Sequence, residues 1–395
     1  MRNRTWKNRW GIWERLSYIF VAMLLLWPWR AASAGIGQVP PAITAEAAIL
    51  VEASTGRVLY EKNADRLMYP ASMTKIMTCL LALEHGHLEA PVTVSETAAN
   101  TEYAELSAQD RLTMEELLTE MMLESDNGAS VAVAEYLSPS TDAFADQMTE
   151  RAASLGAAHT RFKNPNGLPA WGHISTARDM MEITRAAWQL PAFRRMVGLP
   201  RHMVHFASPQ SPSWEAVNTN RLLTQYAGMV GIKTGWTEAA GGCLAGAAER
   251  GGVTLISIVM NASDGDTRFS DTAALLDYGF PRVRIVKGPP REKIKGTVWV
   301  HNGTTYKVTA HPKSDVRQIL VDGEVERRCS VRLDMPRFIN APVRRGDKVG
   351  ELVLCYDGKE TGRIDMIADS SMELGFSPMA YVISFYDRIL GPFLG

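Results

Sequence analysis

The chain has 395 residues, 42 Lys+Arg against 43 Asp+Glu, with 46% hydrophobic and 22% charged residues. That is ordinary globular composition, long enough for two domains or more, and it argues against disorder. No basic block interleaved with aromatics points to nucleic acid, and four cysteines without a CxxC pair are too sparse for a disulfide scaffold.

Arg2, Arg4, Lys7, Arg9 and Arg15 precede an apolar run from Leu16 to Trp27, and Ala32-Ser33-Ala34 then offers a small-residue cleavage site. Residues 1–34 read as a secretory signal peptide cut before Gly35, which places the mature protein outside the cytoplasm. An uncleaved membrane anchor is the competing reading, because Pro28, Trp29 and Arg30 crowd the cut, although the run is short for a span. Without residues 1–34 the chain keeps 36 Lys+Arg and 42 Asp+Glu, a mildly acidic net charge of −6.

From Ala47 to Asn63 an apolar run, the turn Ser54-Thr55-Gly56 and a second run at Val58-Leu59-Tyr60 predict a β-hairpin. Helical spacing dominates from Ser72 to about Leu190: Met73, Ile76, Met77, Leu80 and Leu83 ended by Gly86, then Leu112 to Leu123. Strand character returns at Met229–Trp236, Cys243–Ala248 and Val253–Asn261, followed by a helix over Phe269–Tyr278. Strands at both ends with helices between them predict an α+β domain over residues 35–281, an antiparallel sheet with a helical insert and a cleft where the two meet. Beyond it, Asp322-Gly323, Gly346-Asp347 and Asp357-Gly358 punctuate short apolar runs, predicting a small all-β domain over 282–371. In residues 372–395, Met379, Val382, Ile383, Tyr386, Ile389, Leu390 and Phe393 take helical spacing. Such a helix fits either packing on its own domain or peripheral membrane contact.

Three short motifs carry the chemistry. Ser72-Met73-Thr74-Lys75 puts a hydroxyl and an amine on one face of a helix, so that Lys75 can take the proton of Ser72. The amine must be neutral to do so, which needs its pKa to fall towards ~7 through desolvation and a neighbouring positive charge, for which Lys233 is the candidate. Ser125-Asp126-Asn127 follows a helix, where Ser125 would relay the proton to the leaving amine and Asn127 would hold the substrate amide. Lys233-Thr234-Gly235 falls on an expected edge strand, supplying a cation and a hydroxyl for a carboxylate and a glycine for close backbone approach. His85, His87, His202 and His205 match no metal-binding signature, no metal or cofactor is expected, and no G-x-S-x-G elbow is present. Cys79, Cys243, Cys329 and Cys355 read as small buried thiols, with a Cys329–Cys355 bridge as the alternative that export permits.

With these motifs, the string Tyr69-Pro70-Ala71-Ser72-Met73-Thr74-Lys75-Ile76-Met77-Thr78 and the segment Asn164-Pro165-Asn166-Gly167-Leu168 ahead of His173, the chain resembles the D-alanyl-D-alanine carboxypeptidase family over about residues 40–370. These are low-molecular-mass penicillin-binding proteins. The resemblance implies a β-lactamase/transpeptidase-like catalytic domain followed by a β-domain, and a Ser72 acyl-enzyme that removes the terminal D-alanine from peptidoglycan pentapeptide stems. It also implies covalent inhibition by β-lactams. By the same resemblance Lys75 is the base, Ser125 and Asn127 complete the proton path, Lys233 and Thr234 bind the terminal carboxylate with Arg268 nearby, and the backbone N–H groups of Ser72 and Trp236 form the oxyanion hole. Asn166, where the family often has His, and Trp236, where it has a small or polar residue, depart from the pattern. A class A β-lactamase shares the motifs but needs an E-x-x-L-N string between Asn127 and Lys233, which is absent. A catalytically silent penicillin-binding structural protein would have no chemical reason to keep Lys75 beside Ser72.

Overall fold

Every residue of β1 (Ala47–Glu52) is buried, because this strand lies between two others and is covered on both faces. The Glu52 carboxylate accepts the N–H groups of Ser54 and Thr55, closing the turn into β2 (Val58–Lys62) and confirming the predicted hairpin. The computed structural model describes residues 39–207, 213–378 and 382, and these fall into two units that divide between Val283 and Arg284. The expected signal peptide lies outside the described residues, as do residues 379–395 of the expected C-terminal helix apart from Val382. The described start of that segment is not helical: Met372 and Leu374 bridge to Val343 and Gly303, so the second unit runs past the expected end at residue 371. Among the described residues, no helix is long and apolar enough to cross a membrane.

In the first unit a 3-10 turn over Ala71–Thr74 leads into α1 (Lys75–His85), so Ser72 sits in the turn and the α-helix proper begins at Lys75. An antiparallel pair of β3 (Pro91–Thr93) and β4 (Arg111–Thr113), joined through a single helical turn at Glu96–Ala99, interrupts the helical insert. Three-residue strands are too short for periodicity to reveal. Then come α2 (Met114–Leu123), α3 (Asn127–Leu137), α4 (Thr141–Ser154), α5 (Ala177–Trp188) and α6 (Pro191–Val197). A second hairpin, β5 (Arg201–Val204) with β6 (Trp214–Val217), precedes the returning strands β7 (Met229–Thr237), β8 (Gly241–Arg250) and β9 (Val253–Ala262). The five-stranded antiparallel sheet runs β2-β1-β9-β8-β7, which leaves β7 at an edge.

Alternation along the strands splits the core. Ile49, Val51, Ile256, Ile258 and Met260 join the cluster built with the helical insert. Leu50 and Leu255 point the other way, towards Gly279 at the end of α7 (Thr267–Gly279). Helices thus cover both faces, as an α+β domain requires to bury its sheet.

The second unit is all-β. β10 (Val283–Lys287) pairs with β13 (Arg317–Val321). A six-stranded sheet is built from β11 (Gly296–His301), β12 (Lys307–Pro312), β14 (Cys329–Asp334), β15 (Phe338–Asn340), β16 (Lys348–Tyr356) and β17 (Lys359–Ala368), in the order β14-β16-β17-β12-β11-β15. Asp357 and Gly358 both have positive φ, the geometry that a two-residue hairpin needs between right-twisted strands. Val298, Val300, Val308, Leu352 and Met366 form a core of the unit's own. The β14–β16 register opposes Cys329 to Tyr356 and Ser330 to Cys355, so the two thiols project from opposite faces and the alternative bridge is not made. Cys79, Cys243 and Cys355 are buried thiols, while Cys329 is only half-buried.

Candidate active site

All three motifs converge where β7 meets the N-terminal turn of α1. Lys75 is fully buried, and its Nζ lies 3.1 Å from Ser72 Oγ, 2.7 Å from Asn127 Oδ1 and 2.8 Å from the Asn166 carbonyl. A neutral amine has two N–H donors and one lone pair. It satisfies this set by donating to the two carbonyl oxygens while accepting the Ser72 hydroxyl proton, the arrangement a general base requires. Burial lowers the Lys75 pKa to about 7, against the opposing pull of Asp126 and Glu120. Of the two causes expected from sequence, desolvation does the lowering, and the Lys233 charge does not register at Lys75. The repulsion between the amines registers at Lys233, held well below its ordinary value by burial first and then by Lys75 and Arg268.

The loop carrying Ser125 is fixed from below. Ser125 has φ of 74°, a costly conformation for a residue with a side chain, and Asp126 locks it by accepting the N–H groups of Ala129, Glu105 and Leu106. Asp126 is therefore the N-cap of α3, and the motif sits between two helices, leading out of one and capping the next. Asn127 donates its Nδ2 to the Glu102 carbonyl at 2.7 Å, which turns its Oδ1 towards Lys75.

On the opposite wall, Lys233 is 1% exposed and its Nζ has no hydrogen-bond partner, so it is no solvent-facing edge lysine. Thr234 Oγ1 lies 2.6 Å from Thr219 Oγ1, and Arg268 donates to the Gly235 carbonyl at 2.8 Å. A Cβ on Gly235 would stand 3.1 Å from both the Ala71 Cβ and the Ser72 nitrogen, which explains why this strand position takes glycine. Trp236 follows, half exposed at the mouth.

A fourth segment, residues 162–173, is stapled to α1. Besides the Lys75 contact to Asn166, Thr78 Oγ1 donates to the Pro165 carbonyl at 2.6 Å, and the His173 ring contacts Thr74 Oγ1 at 2.9 Å. His173 Nδ1 accepts the Lys163 N–H, which leaves Nε2 as the donor to Thr74. Burial keeps the ring neutral by lowering its pKa to about 4. Gly167, at φ 92°, touches the turn so closely that a Cβ would fall 2.0 Å from the Ala71 carbonyl oxygen. The Asn166 side chain accepts the Leu168 N–H, and it is the backbone carbonyl that serves Lys75. Thr219 and Glu120 escaped the sequence reading: neither sits in a motif, and only folding brings Thr219 against Thr234. His202 faces Glu116 at 2.8 Å, away from these groups.

Residues 35–264 match the family model described as D-alanyl-D-alanine carboxypeptidase, and residues 290–374 match that of the penicillin-binding protein 5 C-terminal domain. The chain belongs to the D-alanyl-D-alanine carboxypeptidase family. It is 32% identical over 354 residues to D-alanyl-D-alanine carboxypeptidase DacF of Bacillus subtilis, spanning 88% of this chain and 89% of that protein. Among solved structures, the family resemblance extends to a peptidoglycan synthesis regulatory factor (PBP3) from Streptococcus pneumoniae, with TM-score 0.68 and 27% identity over 84% of this chain and all of that one. Penicillin binding protein 5 from Haemophilus influenzae aligns with TM-score 0.63 and 26% identity, covering 85% of this chain and 100% of its own.

Proposed function

We propose that this protein is a serine-type D-alanyl-D-alanine carboxypeptidase that trims the terminal D-alanine from peptidoglycan pentapeptide stems and is inhibited covalently by β-lactams. The observation that carries the reading is the buried Lys75 amine within hydrogen-bond reach of Ser72 Oγ. Neutral Lys75 takes the hydroxyl proton as Ser72 Oγ attacks the carbonyl carbon of the penultimate D-alanine. The developing oxyanion is held by the N–H groups of Ser72 and Trp236, one such donor being worth about 3 to 4 kcal/mol. The proton passes through Ser125 to the leaving D-alanine, and Asn127 orients the substrate amide. Lys233 and Thr234, with Arg268 behind Gly235, bind the terminal carboxylate as the substrate lies along the edge strand β7. Water then attacks the ester, with Lys75 again taking the proton.

Mass spectrometry after incubation with penicillin, run beside D-alanine release from a peptide ending in D-Ala-D-Ala, tests this. A stable adduct on Ser72 with D-alanine release is expected. Fast penicillin turnover without D-alanine release would instead make it a β-lactamase, and neither activity would leave a silent binding protein. The leader-like residues 1–34 support action on the outer face of the membrane or beyond it. The apolar spacing of Met379 to Phe393 supports peripheral membrane contact, to be checked by liposome flotation with and without residues 376–395. Identical soluble behaviour of the two forms would discard the anchor.

A further inference from the structure

Thr219 stands between two buried asparagines that fix the chain on either side of it. Asn218 donates its Nδ2 to the Leu199 carbonyl at 3.0 Å and its N–H to the Pro200 carbonyl at 2.9 Å. Its Oδ1 accepts the Asn220 N–H at 2.9 Å, and Asn220 Oδ1 accepts the Leu222 N–H at 3.2 Å. Two successive turns closed by asparagine side chains thus set the backbone around Thr219. Thr219 itself is exposed, so hydrogen bonds rather than packing place its hydroxyl.

Three groups meet at that hydroxyl. Thr219 Oγ1 lies 2.6 Å from Thr234 Oγ1 and 3.2 Å from the Leu123 carbonyl oxygen, which already accepts the Thr219 N–H at 3.1 Å. A threonine hydroxyl has one proton to give, so Thr219 serves either Leu123 or Thr234. When it donates to Leu123, the Thr234 proton must fill the 2.6 Å contact, and Thr234 turns only lone pairs to the cleft. When it donates to Thr234, the Leu123 carbonyl keeps its bond from the Thr219 N–H, and the Thr234 proton is free. A carboxylate accepts and never donates, so it selects the second arrangement. The exchange is a rotation of two hydroxyls, in which each oxygen keeps its own proton and no buried group loses its last partner.

We propose that Thr219 is a positioning residue for substrate recognition: its hydroxyl holds Thr234 Oγ1 and donates to it, so that Thr234 gives its own proton to the terminal carboxylate. This deepens the carboxypeptidase reading and rests on it. Thr219 is the side-chain partner of Thr234 among the described residues. A hydroxyl that accepts one hydrogen bond donates a stronger one. Leu123 closes α2 two residues before Ser125, so the same side chain ties the wall of the proton path to the wall that binds the carboxylate.

The test compares the purified full-length protein with Thr219→Val, Thr219→Ser, Thr234→Val and the Thr219→Val, Thr234→Val double variant. The readouts are kcat and KM for a peptide ending in D-Ala-D-Ala and for its C-terminal amide. Thr219→Val removes the hydroxyl at nearly constant shape and should lose about tenfold in kcat/KM on the free acid, the size of one neutral hydrogen bond, in KM rather than kcat. The amide should lose less than about twofold, and Thr219→Ser should restore the wild-type KM to within about twofold. Because Thr219 acts through Thr234, the double variant should be no worse than Thr234→Val alone. Equal losses on acid and amide, or a Thr219→Ser variant as impaired as Thr219→Val, would overturn the proposal. So would additive losses in the double variant, which would mean that Thr219 meets the substrate by itself. If thermal unfolding shows Thr219→Val to be misfolded, Thr219→Ala takes its place, and misfolding of both would make Thr219 a support of the fold and overturn the proposal as well. If the wild type itself neither releases D-alanine nor takes up penicillin, the carboxypeptidase reading fails instead.

Discussion

Lys75 bears a thermodynamic penalty in exchange for its reactivity. Its fall from 10.5 to about 7 corresponds to about 5 kcal/mol at ~1.4 kcal/mol per pH unit. Because the folded pKa lies below the unfolded one, the unfolded chain binds more protons between pH 7 and 10.5. Stability should therefore rise with pH across that window, with the full cost present at pH 7 and below. Lys75→Met should accordingly raise the melting temperature at pH 7 while reducing acylation by penicillin at least a thousandfold, as read by thermal unfolding and mass spectrometry. Normal labelling of that variant would remove Lys75 as the base. In the wild type the acylation rate should fall tenfold per unit as the pH drops below about 7, since only the neutral amine accepts the Ser72 proton. Across the cleft, Lys233→Ala should cost 10- to 100-fold on peptides with a free carboxylate and far less on their amides, as expected for a lost charge-assisted contact. Equal losses would count against a carboxylate-binding role.

At the scale of elements, the site is the meeting of a turn, a loop, an edge strand and a stapled segment, each held by contacts that leave little room. Ala71 and Ser125 both have positive φ without being glycine, and both flank the reacting groups, so the surrounding packing over-determines the backbone there. Gly167→Ala is the sharpest probe of the staple. The added Cβ collides with the Ala71 carbonyl at a φ that L-residues resist, so the 162–173 segment must lift and take the Asn166 carbonyl away from Lys75. A destabilisation of about 2 kcal/mol or more is expected, with acylation slowed by about a hundredfold. Denaturant unfolding and penicillin-labelling kinetics would measure the two, and an unchanged labelling rate would mean that the segment merely supports α1. The recurring residues of this region were legible in the sequence as a string, Thr74, Lys75 and Thr78 with Asn164 to Leu168 and His173. Their reason was not, because one face of α1 meets a segment about 90 residues away.

For the whole molecule, each of the two units carries its own core, and every proposed site residue lies in the first, before Arg284. Residues 35–283 alone should therefore keep penicillin acylation within about threefold of the full-length rate. A larger loss would assign the β-unit a part in the chemistry. The division into an α+β unit and a β-unit was readable from sequence because strand runs, helical spacing and Asp-Gly turns are local signals, each complete within a dozen residues. So were Ser72 and Lys75, whose partnership is set by a single helical step. The fold alone decided that Lys233 is buried rather than solvent-facing, that its charge does not help lower Lys75, that Cys329 and Cys355 face apart, and that Thr219 and Glu120 stand behind the motifs. Burial, register and the electrostatic field are sums over residues far apart in the chain, and no local pattern encodes them.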